Sequence, residues 1–478
     1  MKNISIIYDD RLKPGSEIRE ITGEKSFGRV IFKRRSLREI FSAAAAEALE
    51  GIKNTGDIKV WDSLSLSYSD VPLQSAVVLV FSDCIIKDKD EFAIILKKAG
   101  YSERSYRVMA DDNVAAIVYE SAETFTKEAL MKEGPEDIKK AALSLGAIES
   151  PAFLDISGHD AFLSFITGGF EARFFNSLSG DEFTVIKKSS NKEKIHAEYK
   201  FYYLLPEKMR SWFVLPYDYS EDGNLASYKM QRYHMTDLSL RYVHGAISKE
   251  EFKRLLDILF VFLSERTEKR VTWNEFYEMR RDLYINKVEK RIGELKADPG
   301  YPVIKNYIVS GTDYSGIDEI VKRYEDLYDG MIGKNTEKLV KVVSHGDLCF
   351  SNILYSPDAQ LLRLIDPRGA EKEEDIYSDP LYDYAKLSHS IAGQYDFMNS
   401  ALFGIEVGED MKLSLTVDSD VDEYRKIFEE KLKEAGIDVK TVRLFECSLF
   451  LSMLPLHMDR PQKVMAFILN AIKIMDEL

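Results

Sequence analysis

The residues with the clearest chemistry lie between positions 344 and 366. His345, Asp347 and Asn352 have the spacing His-x-Asp-x-x-x-x-Asn, and an apolar run that follows them ends at Asp366. Phosphoryl transfer requires a carboxylate beside the attacking hydroxyl, and it requires oxygen ligands that hold Mg²⁺ against the nucleotide phosphates. This set of residues supplies both, so the sequence predicts phosphoryl-transfer chemistry.

This stretch resembles the catalytic loop of the aminoglycoside phosphotransferase and choline/ethanolamine kinase superfamily. The resemblance covers residues 155–478 and implies a protein kinase-like fold. It implies that Asp347 is the catalytic base or the carboxylate that orients the hydroxyl, and that His345 braces the loop. It also implies that Asn352 and Asp366 are magnesium ligands. The alternative is that Asp347 caps a turn, Asp366 only ends a strand and His345 is a packed histidine.

A kinase also needs a lysine on a strand to bind the α- and β-phosphates. Lys187 ends an apolar run and is predicted to have this role. Lys188 would point to the opposite face of the strand, so a shift of one residue in register would exchange the two. Glu198 is the predicted partner of the lysine, with Glu193 as the rival. The alternative is a solvated lysine pair at the end of a strand.

Two backbone segments are predicted to contact the nucleotide. Gly168 and Gly169 form a turn ahead of the lysine, and glycines let backbone amides approach phosphate oxygens. A plain hairpin is an equally good interpretation of this turn. The predicted connection between the two lobes, whose backbone would receive the adenine or guanine edge, contains Met230, Gln231 and Arg232.

Three more polar residues are candidates for substrate binding. Arg368 either binds an anionic substrate group or phosphate or pairs with Glu371, and the sequence favours neither. Asp379 and Asp383 are four residues apart and fit one helical face. They belong to a segment similar to Asp-Pro-x-x-Asp-x-Ala of the phosphotransferase and kinase superfamily named above. In that superfamily the segment mainly anchors the catalytic loop. A structural role is therefore favoured over substrate binding.

The pattern along the chain predicts three parts. Residues 1–150 form an α/β domain, residues 151–235 a small sheet and residues 236–478 a mostly helical region. The predicted fold class is an α/β, Rossmann-like domain followed by an α+β bilobal kinase-like fold. The clearest predicted strands are 76–81, 162–175, 183–187 and 226–233.

The first domain resembles nucleotide-diphospho-sugar transferase domains of the kind fused to such kinases in surface-polysaccharide and phosphocholine pathways. The resemblance rests on the strand that ends before Asp83 and on the apolar run 113–119. The glycine-rich loop of those transferases is missing, and the segment 25–29 does not replace it. A degenerate or purely structural domain is therefore expected, and Asp83 would be a metal ligand if the domain were active.

Composition limits the partners. The 478 residues carry a formal net charge of -15, which disfavours nucleic acid and anionic membranes. The three cysteines have no metal-binding or disulfide spacing, and the chain contains no apolar run of signal-peptide or membrane-spanning length. A cytoplasmic protein is expected, and the oligomeric state is left open.

The preferred function is a small-molecule kinase that uses Mg²⁺ and ATP or GTP. Its acceptor would be a hydroxyl of a sugar, an amino alcohol or a surface-polysaccharide precursor, as in capsule biosynthesis. Choline is disfavoured because Trp61, Trp212 and Trp273 all lie outside the catalytic stretch. The alternatives are a catalytically weak nucleotide-binding scaffold that regulates or tethers the first domain, and a bifunctional nucleotidyltransferase-kinase.

Overall fold

The computed structural model divides the chain into two compact units, Met1–Phe170 and Glu171–Leu478. It describes residues 2–52, 56–62, 71–72, 75–167, 177–180, 183–332, 338–407, 410–417 and 420–478. The division lies later than the predicted junction near residue 150. The reason is that Phe153–Asp155 pairs antiparallel with Cys84–Ile86, which ties this segment to the first unit.

The first unit contains ten strands and six α-helices among its described residues. The strands are β1 Ile4–Asp9, β2 Ile31–Phe32, β3 Arg35–Ser36, β4 Asp57–Trp61, β5 Ala76–Phe81, β6 Cys84–Ile86, β7 Tyr106–Ala110, β8 Asn113–Tyr119, β9 Gly146–Glu149 and β10 Phe153–Asp155. The helices are α1 Ser16–Thr22, α2 Leu37–Gly51, α3 Lys89–Ala99, α4 Ala122–Phe125, α5 Pro135–Ala142 and α6 His159–Ile166. A 3₁₀ turn spans Phe27–Arg29 and a π turn spans Thr126–Leu130.

The main sheet of the first unit is mixed rather than fully parallel. Its order is β4-β1-β5-β8-β7-β9, and β8 runs antiparallel to both of its neighbours. A Rossmann-like sheet has parallel strands, so the predicted class is not confirmed for this unit. The predicted strand 76–81 is β5, and all six of its residues are buried because helices cover the sheet.

One predicted strand is wrong. The run 162–175 was expected to be extended, but its beginning belongs to helix α6, in which Phe162, Leu163 and Ile166 are buried. Their spacing places them on one helical face, and short apolar runs do not distinguish a strand from a helix. Gly168 and Gly169 lie outside the described residues, so the phosphate-covering turn stays a prediction.

The second unit begins with a four-stranded antiparallel sheet, in the order β11-β12-β14-β13. We call this sheet together with α7 the small lobe, and the rest of the unit the large lobe. The strands of the unit are β11 Ser177–Gly180, β12 Thr184–Ser189, β13 Pro216–Asp222, β14 Leu225–Gln231, β15 Thr236–Asp237, β16 Glu268–Arg270, β17 Val340–Val343, β18 Ile353–Ser356, β19 Leu361–Leu364, β20 Tyr377–Ser378, β21 Phe403–Val407 and β22 Met411–Leu415.

The large lobe is mostly helical, as predicted. The helices of the second unit are α7 Lys192–Leu204, α8 Glu207–Arg210, α9 Leu238–Val243, α10 Lys249–Glu265, α11 Trp273–Arg281, α12 Lys287–Ala297, α13 Tyr301–Gly311, α14 Ile317–Ile332, α15 Tyr382–Ile391, α16 Tyr395–Asn399, α17 Val421–Glu434, α18 Val439–Met453 and α19 Pro461–Asp476. A π turn, Asp282–Asn286, joins α11 to α12. Short 3₁₀ turns span Phe350–Asn352, Glu373–Ile376 and Leu454–His457.

The start of α10 illustrates how local sequence fixes an element. Ser248 caps the helix, because its hydroxyl accepts the backbone N–H of Glu251 at 3.1 Å. The Glu251 carboxylate, however, binds Arg241, with Nη2 of the arginine 3.2 Å from Oε2. The cap was therefore predictable from the sequence, whereas the partner of Glu251 was not. Across the described ranges, none of the helices combines the length and apolar composition needed to cross a membrane.

Candidate active site

Lys187, the lysine selected from the sequence, lies in an ion-paired cluster between the two lobes. Its side chain is buried within the small lobe, and Nζ lies 2.6 Å from Oε2 of Glu198 on α7. The same nitrogen lies 2.9 Å from Oδ1 of Asp366 in the large lobe. Burial alone would lower the pKa of Lys187, but the carboxylates of Asp366 and Glu198 raise it above its usual value. Lys187 is therefore a fixed cation at the junction of the lobes.

The geometry separates the rival residues that the sequence left open. Lys188 is only half-buried, and Glu193 is exposed in the first turn of α7. Glu198 is buried, and it also accepts a hydrogen bond from the hydroxyl of Tyr228 at 3.3 Å. The structure therefore brings Lys187 and Glu198 together and leaves Lys188 and Glu193 outside the cluster.

The ring of His345 supports the loop from behind. Its Nε2 lies 2.9 Å from the carbonyl oxygen of Ile365, and its Nδ1 accepts the backbone N–H of Asp347 at 3.2 Å. The ring also stacks on Phe213. Burial lowers the pKa of His345, so the neutral ring donates through Nε2 and accepts through Nδ1. His345 is placed to hold the loop, away from the cleft.

Asp347 faces the cleft and has a lysine partner that sequence reasoning missed. Its side chain is 43% exposed, and Oδ1 lies 2.8 Å from Nζ of Lys386 on α15. The amide nitrogen of Asn352 donates to the backbone oxygen of Asp347 at 2.8 Å and to its Oδ2 at 3.1 Å. Burial would raise the pKa of Asp347, but the charge of Lys386 outweighs this effect and lowers it. The carboxylate is therefore ionised and oriented.

Asn352 and Asp366 present oxygen atoms that fit the predicted magnesium site. Asp366 follows β19 with a φ of 55°, which is uncommon for a residue other than glycine and concentrated at functional sites. Its side chain is 42% exposed. No cluster of three or more His, Cys, Asp or Glu in the described ranges is arranged to hold a metal ion. Mg²⁺ is commonly bound by one or two carboxylates together with waters and phosphate oxygens, so Asp366 with Asn352 would be a sufficient set of ligands from the chain.

Asp383 organises the catalytic loop from inside the large lobe. It is fully buried, and its Oδ2 lies 3.1 Å from Nη1 of Arg266. Its two carboxylate oxygens accept hydrogen bonds from the hydroxyl of Ser344 and from the backbone N–H groups of His345 and Gly346, at 2.9, 3.1 and 3.0 Å. Asp383 therefore fixes the backbone immediately before Asp347.

Asp379 lies four residues earlier, before the start of α15, so the two aspartates do not share a helical face as the sequence suggested. It is fully buried, with Oδ2 2.6 Å from Nε of Arg280 and Oδ1 3.2 Å from the hydroxyl of Tyr284. The sequence left open a substrate-binding role for Asp379 and Asp383. The structure does not support that role, because neither carboxylate reaches the cleft. The structural interpretation that the sequence favoured describes both residues.

Arg368 is exposed at the cleft, and of the two alternatives left open by the sequence, the pairing with Glu371 is not formed. Glu371 instead lies 2.9 Å from Nδ1 of His196 and 3.3 Å from Nζ of Lys200. A Cβ on Gly346, which has a φ of 76°, would lie 2.7 Å from the Cβ of Arg368. The loop and the segment after Asp366 therefore approach so closely that only glycine fits between them.

The predicted connection between the lobes begins inside a strand. Met230 is flanked by β12 and β13, and Gln231 is the last residue of β14. The backbone N–H of Arg232 donates to the carbonyl oxygen of Phe183 at 2.8 Å. The chain then enters the large lobe at β15, which pairs with β18. The contact of these residues with a purine stays a prediction.

Two adjoining cavities open at Asp347. The first, of about 310 Å³, has walls formed by Lys194, Glu198, Lys287, Gly346, Asp347, Asn352, Asp366, Pro367, Arg368, Tyr382 and Lys386. The second, of about 290 Å³, has walls formed by Lys287, Arg291, Asp347, Cys349, Ser351, Asn352, Lys386, His389, Tyr395, Leu449, Ser452, Met453 and Leu456. Asp347 and Asn352 belong to both, so the predicted base lies where two ligands could meet.

Known structures with a partly similar fold are phosphotransferases. An aminoglycoside phosphotransferase APH(4)-Ia in complex with AMP-PNP and hygromycin B is 13% identical, with a TM-score of 0.39 over 64% of this chain and 92% of that chain. The aminoglycoside phosphotransferase APH(3'')-Id from Streptomyces rimosus, in complex with ADP and streptomycin, is 17% identical, with a TM-score of 0.36 over 62% of this chain and 97% of that one. An aminoglycoside-3'-phosphotransferase of type VIII is 13% identical, with a TM-score of 0.33 over 58% and 87%.

These likenesses assign no function by themselves, because each TM-score is well below 0.5. No protein-family model matches the sequence, and no curated protein matches it. The chemistry of this chain therefore has to be read from its own residues.

The first unit has its own polar cluster, around Asp83. This buried carboxylate lies 2.5 Å from Nζ of Lys139, and Asn113 donates from Nδ2 to both Asp83 and Asp155 at 3.0 Å. Gly28 lies in the segment 25–29, which does not replace a glycine-rich loop. Its backbone N–H donates a hydrogen bond to Oδ1 of Asp10 at 2.7 Å. That amide is therefore already hydrogen-bonded within the unit.

Proposed function

We propose that the second unit is a small-molecule kinase that transfers the γ-phosphoryl group of ATP or GTP to a hydroxyl group. The observation that carries the proposal is the bridge from Lys187 to Glu198 and Asp366, at 2.6 and 2.9 Å, beside a cleft that contains Asp347 and Asn352. Catalysis of phosphoryl transfer rests mainly on positioning and on electrostatic stabilisation. This cleft holds cations for the phosphates and a carboxylate for the hydroxyl.

The nucleotide phosphates would lie against the small lobe. Lys187 is charged and held by Glu198, so it is suited to bind the α- and β-phosphates. Asn352 and Asp366 would hold Mg²⁺, which neutralises charge on the phosphates when it is bound. Because Lys187 and Asp366 lie 2.9 Å apart, the phosphates and Mg²⁺ would bind next to each other at this point of the cleft.

Asp347 would orient the acceptor hydroxyl. Because Lys386 keeps the pKa of this carboxylate low, Asp347 is ionised at neutral pH and accepts a hydrogen bond from the hydroxyl. The acceptor oxygen then forms a bond to the γ-phosphorus while the bond from that phosphorus to the bridging oxygen breaks. The hydroxyl proton passes to Asp347 and from there to solvent. The products are the nucleoside diphosphate and the phosphate ester of the acceptor.

Direct detection of product tests the proposal. The full chain is incubated with ATP or GTP, Mg²⁺ and a pool of polar cell metabolites, including sugars and amino alcohols, and products are sought by mass spectrometry. We expect at least one metabolite to gain the mass of a phosphoryl group, only in the presence of Mg²⁺ and in equal amount to the diphosphate formed. Tight nucleotide binding without any transfer would instead favour the scaffold interpretation.

A further inference from the structure

The second cavity, beyond Asp347, has an unusual balance of charge. Three cations form part of its wall, Lys287 and Arg291 on α12 and Lys386 on α15. Asp347 is the one carboxylate among the wall residues, and Lys386 already neutralises it at 2.8 Å. A cationic acceptor would therefore meet no carboxylate that is free to bind it within the described part of this wall.

The partners of the two cations on α12 leave charge available to a ligand. The Nζ of Lys287 donates to the neutral hydroxyl of Tyr382 at 3.2 Å, and no carboxylate of the described chain lies within ion-pairing distance of it. Arg291 pairs with Glu294 at 2.6 Å, but both side chains are about a third exposed, and ion pairs of this kind contribute little. The wall of the second cavity therefore carries more positive than negative charge.

His389 indicates that a polar ligand enters this cavity. Its side chain is buried, with the residue 1% exposed, and neither ring nitrogen has a hydrogen-bond partner in the parts of the chain that the structure describes. The ring stacks on Tyr395, with centroids 4.3 Å apart. Burial holds the pKa of His389 well below its usual value, so the neutral ring offers one donor and one acceptor. Burying a polar group without a partner is unfavourable, and a shift of the ring that brings either nitrogen to a ligand hydroxyl in this cavity would remove that cost.

We infer that this cavity is the acceptor site and that the acceptor carries a negatively charged group, a phosphate or a carboxylate, as well as the hydroxyl that is phosphorylated. Lys287 and Arg291 bind the anionic group, His389 binds a neutral hydroxyl, and Asp347 orients the reacting hydroxyl. This inference rests on the proposed kinase function, and it restricts the acceptor to molecules that carry an anionic group. The cavity of about 290 Å³ is just below the roughly 300–1,000 Å³ typical of ligand pockets, which suits a ligand of monosaccharide size.

Binding of a charge series tests this inference without relying on turnover. The full chain is first saturated with Mg²⁺ and the ATP analogue AMP-PNP, so that the nucleotide site is filled. Glucosamine, glucose, glucuronate and glucose 6-phosphate are then titrated by calorimetry, because they share one ring and differ in charge. We expect one or both anionic sugars to bind at least about tenfold more tightly than glucosamine, as hydrogen bonds to charged groups are worth about 1.5–3 kcal/mol. The two anions distinguish carboxylate from phosphate recognition.

Two variants on α12 locate the binding site. Arg291→Gln should reduce the affinity for the preferred anion about tenfold, the factor that corresponds to one charged contact. Lys290→Gln removes the same charge from an exposed neighbour on the helix, and it should leave the affinity unchanged. AMP-PNP binding should be the same in both variants, since Arg291 belongs only to the second cavity.

The outcomes separate the two proposals. Failure of AMP-PNP to bind would contradict the kinase function, and the acceptor site with it. If AMP-PNP binds normally, the kinase function stands. The anionic acceptor is then overturned if glucosamine binds as tightly as the anions, or if none of the four sugars binds. Equal losses in Arg291→Gln and Lys290→Gln would also overturn it, because they would indicate general attraction rather than this site.

Discussion

Four aspartates of one stretch of chain divide into two regions with opposite environments. Asp347 and Asp366 are 43% and 42% exposed at the cleft, and each has a lysine as its ion-pair partner. Asp379 and Asp383 are 0% exposed, and each is held by an arginine and by several hydrogen bonds. The cleft pair has carboxylate oxygens that are accessible to a ligand. The oxygens of the buried pair are all engaged in hydrogen bonds and ion pairs within the chain. The same residue type is thus accessible to ligands in one region and part of the internal structure in the other.

The largest expected effect comes from a cleft aspartate. Asp347→Asn keeps the shape of the side chain and removes its charge, so turnover should fall about 10²–10⁴-fold, the range typical of general acid–base groups. The melting temperature should fall less than in Asp383→Asn, because the Asp347 side chain is 43% exposed whereas Asp383 is fully buried. The matched control is Asp358→Asn, an exposed aspartate between β18 and β19, which should leave turnover unchanged. Unimpaired turnover in Asp347→Asn would remove the proposed base.

The buried pair should give the reverse result. Asp383→Asn leaves Arg266 buried without its counter-charge and weakens the hydrogen bonds to the loop, so the free energy of unfolding should fall by about 3–5 kcal/mol. Urea denaturation followed by circular dichroism measures this change. If Asp383→Asn does not fold while Asp347→Asn does, the comparison again shows that the buried aspartate, unlike the cleft aspartate, is required for stability. A variant as stable as the wild type would show that the buried pair does not hold the loop.

A smaller effect distinguishes the two neighbouring lysines of β12. Lys187→Met should weaken AMP-PNP binding roughly 10- to 100-fold, since a charge-assisted hydrogen bond is worth about 1.5–3 kcal/mol. Lys188→Met should bind the analogue as the wild type does, because its side chain lies outside the cluster. Calorimetry in the presence of Mg²⁺ measures both. Equal losses would mean that the register of the phosphate contact is wrong.

The smallest effect concerns pH. His345 and His389 have pKa values lowered from 6.5 by burial, so below about pH 6.5 the unfolded chain takes up protons that the folded chain does not. Each of the two histidines should therefore lower the free energy of unfolding as the pH falls, by at most about 1.4 kcal/mol per pH unit. Asp347 titrates in a lower range, at and below 3.8.

Denaturant unfolding between pH 7.5 and 5 measures this slope. Burial raises the pKa of Asp396 to about 6, so the folded chain takes up a proton there and this carboxyl opposes the effect of the histidines. The test is therefore the difference between two proteins: His389→Gln should lose less stability than the wild type between pH 7.5 and 5. The same pH dependence in both proteins would contradict a buried, neutral His389.

Much of the cleft was predictable because its signals are local. The spacing of Asp347 and Asn352 and the strand that ends near Asp366 lie within one short stretch of sequence. Lys386 and His389 were missed because helix α15 supplies them, and only packing brings that helix against the loop. Lys287 and Arg291 come from a more distant helix still. In the first unit, the antiparallel position of β8 and the pairing of β10 with β6 depend on long-range contacts that no local pattern records.

The magnesium dependence of nucleotide binding tests the central claim most directly. If Asp366, Asn352 and Lys187 converge on one nucleotide site, Mg²⁺ should strengthen AMP-PNP binding to the wild type, and Asp366→Asn should abolish that gain. Asp358→Asn should retain it. An equal gain from Mg²⁺ in Asp366→Asn, or none in the wild type, would contradict the claim that these side chains form a site for a metal-bound nucleotide.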